Sequence, residues 1–279
     1  MEDSKIPYLL QQIPDPPKQM YMRGEFPDQE EYKFLTVIGS RKFTTYGKQV
    51  CENLIRDLAG YPIVIVSGLA LGIDSIAHQA ALDNNMKTMA IPGSGLDDSV
   101  LYPATNQGLA HNIITSGGCL LSEFEPYFKS TKWSFPKRNR IMAGISHATL
   151  VIEAENKSGT RITARMATEY NREVFAVPGS IYSPTSEGTH ELIREGATPV
   201  TRAENILDFF NFSKKTPQQT QLIALGPDEE KVINILIKPL SRNQIAEHMN
   251  ISIIKINILL SSMEIKGLIK EELGKMYRC

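Results

Sequence analysis

The stretch "FPKRNRIMAG", Phe135 to Gly144, sets Lys137, Arg138 and Arg140 within four residues, between apolar neighbours and at the start of a helical pattern. A helix N-terminus mildly disfavours cations, so such a cluster needs acidic partners inside the protein or an external polyanion. Two more basic elements follow strand-like runs: Arg41-Lys42 in "VIGSRKFT", and Arg161 and Arg165 in "SGTRITARMA". Phosphate binding is the chemistry that separate cations converging on one edge would serve. Phe43 and Phe135, beside these cations, are placed either to stack on bases or to enter the core.

Other chemistries find less support. Asp74 and His78 in "SGLALGIDSIAH" are four apart on one helical face, but no further ligands stand at metal-binding spacing. Their simpler roles are orienting the glycine turn and packing. Glu123 in "LLSEF" and Glu153 in "VIEA" end two strand-like runs. They are either an acid/base pair or acceptors for loop amides and arginines, and the second reading is favoured. "PGSGLDD" has Asp98 where a dinucleotide fingerprint needs its third glycine, and the chain contains no Walker-type loop. No serine elbow occurs, and Cys119 stands inside an apolar run. The expected site therefore has no catalytic residue, no metal and no cofactor.

These residues must be positioned by a scaffold. The runs 34–40, 62–68, 88–94, 119–124, 148–154 and 173–180 are continuously apolar, the pattern of strands covered on both faces. Helical patterns alternate with them, which predicts an α/β fold with a mostly parallel, doubly wound sheet. Most runs end in Gly or Ser, as at Gly39-Ser40 and Ser67-Gly68. Ligands of open α/β sheets bind at the carboxyl ends of strands, where small residues let backbone amides and helix N-termini approach an anion.

The 279 residues suit one large domain and a small companion. The expected division is a lead-in at 1–34, a core at 35–212, a polar, Gln-rich linker at 213–225 and a small domain at 226–279. In the last, "DEEKVINILI", "SRNQIAEHM" and "IIKINILLSSMEIKG" read as three helices, with Ser241 and Gln244 as a capping box and Ser252 as a further cap. The turn in "LIKEELGKMYRC" then completes a winged helix-turn-helix pattern. Net charge is −1 overall. Residues 35–212 carry 16 lysines and arginines against 17 aspartates and glutamates, and residues 226–279 carry 8 against 7. Any polyanion site is therefore a local patch. No apolar run is long enough to span a bilayer, and the acidic start "MEDSK" lacks a signal-peptide core, so a cytoplasmic location is expected. Three widely spaced cysteines fit a reducing compartment.

The segments "VIGSRKFTTYGKQV", "IVSGLALGIDSIAHQAAL", "FPKRNRIMAGISHATLVIEA", "SGTRITARMATEYNREVFAVPGS" and "GTHELIREGATPV", in this order, closely resemble the bacterial DNA-processing protein A (DprA/Smf) family. The resemblance implies an extended Rossmann-like core that dimerises. The activity it implies is binding of single-stranded DNA without chemistry, protecting incoming strands in natural transformation and loading a RecA-type recombinase onto them. It also implies a DNA site at Gly39, Ser40, Arg41, Lys137, Arg138, Asn139, Arg140, Ser158, Gly159 and Thr160, to which Arg161 is added either as a further cation of the anion patch or as the partner of a local acid. Two departures stand out: the usual N-terminal helical domain is short or absent, and Arg161 replaces an apolar or small residue. The alternative is a nucleotide-binding or phosphoribohydrolase-like protein, but "NKSGTRITARMATE" keeps Gly159-Thr160 without that group's double glycine. A pure interaction scaffold is disfavoured by the basic strand ends.

Overall fold

A computed structural model describes residues 2–3, 6–212, 226–236, 239–266, 268–272 and 274–278. The segment 213–225, read as a linker, lies outside the described residues, as does Cys279. The chain divides into two compact units, Met1–Lys214 and Lys215–Cys279.

Among its described residues the first unit holds nine strands: β1 (Glu2–Asp3), β2 (Tyr21–Gly24), β3 (Lys33–Ile38), β4 (Ile63–Ser67), β5 (Thr88–Ala90), β6 (Cys119–Ser122), β7 (Ala148–Val151), β8 (Glu173–Ala176) and β9 (Thr198–Pro199). Its helices are α1 (Tyr8–Gln11), α2 (Thr45–Asp57), α3 (Ile73–Asp83), α4 (Gln107–Thr115), α5 (Ser134–Ile145), α6 (Gly159–Glu169), α7 (Pro184–Arg194) and α8 (Glu204–Phe209). The strand order is β1-β2-β6-β5-β4-β3-β7-β8-β9. Pairing is parallel from β6 through β9 and antiparallel for β1–β2 and β2–β6. From β3 the chain winds outward through β4, β5 and β6, then returns to the other side of β3 as β7. The β3–β7 seam is thus the switch point, where this class of sheet opens a crevice.

Both sheet faces are covered, which is why the strands read as unbroken apolar runs. Leu35, Val37, Ile63 and Ile65 join one cluster with Leu54, Ile55 and Ile206. The alternate residues Phe34, Ile38, Val64 and Val66 join the other, with Ile141, Met142 and Ala164. The segment expected as a lead-in contributes to this second layer: Leu10, Ile13 and Met20 are buried in it, and β2 extends the sheet. Arg172 holds this segment down, donating from Nη2 to the carbonyl of Leu9 (3.0 Å).

The second unit contains α9 (Pro227–Ile235), α10 (Arg242–Met249), α11 (Ile253–Ile265) and a hairpin of β10 (Ile269–Glu272) and β11 (Lys275–Arg278). Val232, Ile245, Ile256, Leu260, Met263 and Met276 form its core. Ser241 and Gln244 make the expected capping box. Ser252 occupies the N-cap position of α11 without a side-chain cap bond. No described helix is long and apolar enough to cross a membrane.

Candidate nucleic-acid interface

β3 delivers Gly39, Ser40, Arg41 and Lys42 to the crevice. Ser40 closes this turn on itself: its Oγ donates to the carbonyl of Lys42 (2.8 Å) and accepts from the Lys42 N–H (3.0 Å). The turn sits tightly on the start of α3. A Cβ on Gly39 would lie 2.7 Å from the side chain of Ile73. Gly72, at φ +89°, would place one 2.7 Å from Arg41 Cα. Gly39 leaves room for the Ile73 side chain, and Gly72 allows the close approach of the Ser40–Arg41 backbone at a positive φ.

β7 delivers the facing wall, Glu155 to Ser158, and then the first turn of α6 at Gly159 and Thr160. Thr160 Oγ1 donates to the carbonyl of Gly39 (3.2 Å), joining the two walls. Ser158 is the N-cap residue of α6, in extended conformation, and its side chain makes no cap bond. Unpaired N–H groups at the start of a helix form a ready anion cradle. Between the walls lies an open cavity of about 480 Å³. Arg41, Lys42 and Lys157 stand on its rim; all three are exposed, and none is in an ion pair among the described residues. The Arg41 guanidinium lies 5.6 Å above the ring of Phe135, which resolves that ring into the cavity wall beneath a cation.

The cations of "FPKRNR" divide. Arg138 is only 5% exposed. Its Nη1 donates to the carbonyls of Gly68 (2.6 Å) and Ile91, just beyond β4 and β5, and its Nε to Asn139 Oδ1 (3.1 Å). Asp74 approaches from α3 and accepts from the Gly68 N–H (3.1 Å). Burial raises the Asp74 carboxyl above its ordinary range, opposed by Arg138 and the loop amides. Burial likewise draws the Arg138 guanidinium down to about 10 against the pull of Asp74. Arg140 is also buried. It donates to Glu123 from Nη2 and to the carbonyl of Asp15 from Nη1 (2.7 Å), and its Nε lies 3.3 Å from the Asp15 carboxylate. Lys137 is exposed, with Nζ 3.5 Å from Glu123. Of the two outcomes open to this cluster, partners inside the protein engage all three cations. The helix has two arginines stitching strand ends together and one lysine at the surface.

Gly39, Ser40, Arg41, Arg138, Asn139, Ser158, Gly159 and Thr160 therefore line one cavity, whereas Lys137, Arg140 and Arg161 do not. Arg161 is bound to Asn156 and, at 2.9 Å, to Glu195. The glutamates follow the favoured reading. Glu153 accepts from the Thr44 N–H (2.9 Å), Thr44 Oγ1 (2.6 Å) and Thr185 Oγ1 (3.0 Å), lacing three loops together. His78 packs in the core with Nδ1 2.7 Å from Thr88 Oγ1. The Thr88 hydroxyl donates to the carbonyl of Ile65 (2.8 Å), so the histidine Nδ1 is the donor in that contact. Among the described residues no cluster of His, Cys, Asp and Glu could hold a metal ion. Sequence reasoning missed Lys157, although a cation just before a helix-starting "SGT" turn was a usable signal.

Residues 1–211 match the sequence model of the DNA recombination-mediator protein A family. The chain belongs to this family. DNA processing protein DprA of Streptococcus pneumoniae is 42% identical over 210 residues, which cover 75% of this chain and 73% of that one. The X-ray structure of that species' DprA superposes with a TM-score of 0.67 at 41% identity, covering 72% of this chain and 70% of that one. DNA processing protein A of Helicobacter pylori, whose structure describes a single-stranded DNA binding mode, superposes with a TM-score of 0.67 at 33% identity, over 75% of this chain and 95% of that one. The family match lies within the first unit, the one that carries the cavity.

Proposed function

We propose that the first unit binds single-stranded DNA through its phosphate backbone, without transforming it, and that the protein serves DNA recombination in this way. The observation that carries the reading is the crevice at the β3–β7 switch point. It combines an exposed helix N-terminus with three exposed rim cations, Arg41, Lys42 and Lys157, that form no ion pair among the described residues. Backbone amides and cations recognise phosphate irrespective of base sequence. An open crevice walled by loops suits a flexible strand. The binding mode described for the H. pylori relative supports the same ligand. The two strand-end glutamates are engaged in structural hydrogen bonds, which supports a binding role over acid/base catalysis.

The finer reading follows the family resemblance: a homodimer that shields an incoming strand in natural transformation and hands it to a RecA-type recombinase. The cellular context expected is the cytoplasm. Titration of labelled oligonucleotides tests the core of the proposal. Tighter binding of single strands than of duplex, similar for unrelated base sequences, is the expected result. Equal or stronger binding of duplex would refute it, and light scattering with recombinase pull-down tests the assembly.

A further inference from the structure

Between β6 and α5 the chain forms an aromatic cluster outside the cavity. The ring of Phe124 is buried and stacks on Phe128 with centroids 4.5 Å apart. Trp133 stands edge-on to both, at 5.8 Å and 5.5 Å. The loop beneath is firmly tied. The Gly95 N–H donates to the carbonyl of Phe128 (2.8 Å) and the Asp97 N–H to that of Pro126 (3.0 Å). Next to the indole, buried Ser134 donates from Oγ to the carbonyl of Gly93 (2.6 Å). Trp133 is therefore held from below, yet it remains 55% exposed, and neighbouring Tyr127 is 72% exposed. A large aromatic ring fixed by packing and open to solvent is a surface prepared for something planar.

The charges around it indicate what that is. The exposed charges of residues 123–140 are Lys129, Lys132 and Lys137 against Glu125; Arg138 and Arg140 are buried, and Glu123 is taken up by Arg140 and Lys137. Lys129 and Lys132 are exposed and make no ion pair among the described residues. Lys137 places Nζ 5.9 Å over the Trp133 ring and 5.5 Å over Phe124. Covering this ring with an apolar protein face would strand Lys129 and Lys132 without partners at a desolvation cost. A nucleic acid offers a base to the ring and phosphates to the lysines at once. The position fits as well, because Phe135, two residues further on, already lines the cavity beneath Arg41.

We propose that Trp133 is a base-stacking platform, which with Lys129 and Lys132 carries the single strand beyond the phosphate cavity toward the loop that follows β6. This rests on the reading of the cavity as a single-strand interface. Trp133 is the only tryptophan of the chain, so its fluorescence reports the platform alone. In a titration of the full chain with an oligothymidylate, tryptophan quenching is expected to saturate in step with the anisotropy of a labelled copy of the strand. An abasic strand of equal length should bind more weakly and leave the fluorescence unchanged. Trp133→Ala should weaken oligothymidylate binding about fivefold or more, while Trp133→Phe, which keeps a ring, should retain most of the affinity. Rising anisotropy with unaltered tryptophan emission would overturn the platform and leave the cavity reading standing. Equal quenching by the abasic strand would also overturn it. No anisotropy change with any strand would instead fail the cavity reading itself.

Discussion

Arg41 and Arg138 carry the same charge, but only Arg41 is exposed; Arg138 is tied to two backbone carbonyls next to a buried carboxylate. The spacing of α5 explains the difference. Arg138, Ile141, Met142 and Ile145 stand at i, i+3, i+4 and i+7, so Arg138 shares the stripe that faces the sheet, and Lys137 is turned about 100° away. This was legible in the sequence, but clustering of charge drew the reading toward a common ligand. The acidic partners were not legible, since Asp15, Asp74 and Glu123 come from distant segments brought together only by the fold. Arg138→Ala would leave Asp74 buried beside an empty site and should cost roughly 3–5 kcal/mol in urea denaturation, with the salt dependence of DNA binding unchanged for the folded protein. A soluble, fully stable Arg138→Ala variant would contradict the stitching role. His78 gives a pH signature. Burial lowers its pKa from the ordinary 6.5 to about 3. The unfolded chain takes up the proton as pH falls through 6.5, and the folded chain does not until about 3. Folding stability is therefore lost on acidification across that window, by at most ~1.4 kcal/mol per pH unit from this residue. Near pH 5, His78→Asn should reduce proton uptake on unfolding by about one, read from the pH slope of stability; an identical slope would contradict the assignment.

At the scale of elements, the six long runs were legible because a strand covered on both faces must be apolar throughout. β2 and β9 were not. "YMRG" contains a cation, is only partly buried and joins the sheet by antiparallel pairing with β6, while β9 is a two-residue exposed edge. Neither leaves a periodic trace. Turn geometry was legible only as glycine. Its cause is the packing of the "GSR" turn on the start of α3, where the Ile73 N–H donates to the carbonyl of Ser40 (3.2 Å). Gly72→Ala adds a Cβ against the Arg41 backbone at a positive φ. It should destabilise the fold by roughly 1–3 kcal/mol and weaken DNA binding by displacing Arg41. Gly108→Ala, in α4, meets no neighbouring atom and should raise stability by roughly 0.5–1 kcal/mol with unchanged binding. Thermal melts and binding titrations of the two variants check both; matching behaviour would show that the tight approach at Gly72 has no influence on the site.

For the whole molecule, a net charge of −1 gives no hint of the proposed DNA-binding surface, because several cations are paired internally while Arg41, Lys42 and Lys157 stand together on one rim. The second unit also pairs cations internally. Arg242 is paired with Glu264 and Glu271, and Lys266 with Glu229. Along α11, Ile254 and Ile258 are 70% and 69% exposed, so this helix carries apolar side chains on its surface besides Ile256, Leu260 and Met263 in the unit's core. Deleting residues 226–279 should leave single-strand affinity within about threefold, because the proposed phosphate cavity belongs to the first unit. Loss of binding on deletion would place essential contacts in the second unit. The central claim is that exposed rim cations, Arg41 first among them, neutralise strand phosphates, and salt dependence tests it most directly. The affinity for a single-stranded oligonucleotide, measured across a range of salt concentrations for the native chain and for Arg41→Ala, should decline with salt in both. The log–log slope should be shallower by about 0.7 in the variant, the contribution of one phosphate contact on a single strand. Identical slopes and affinities for the two proteins would contradict the account.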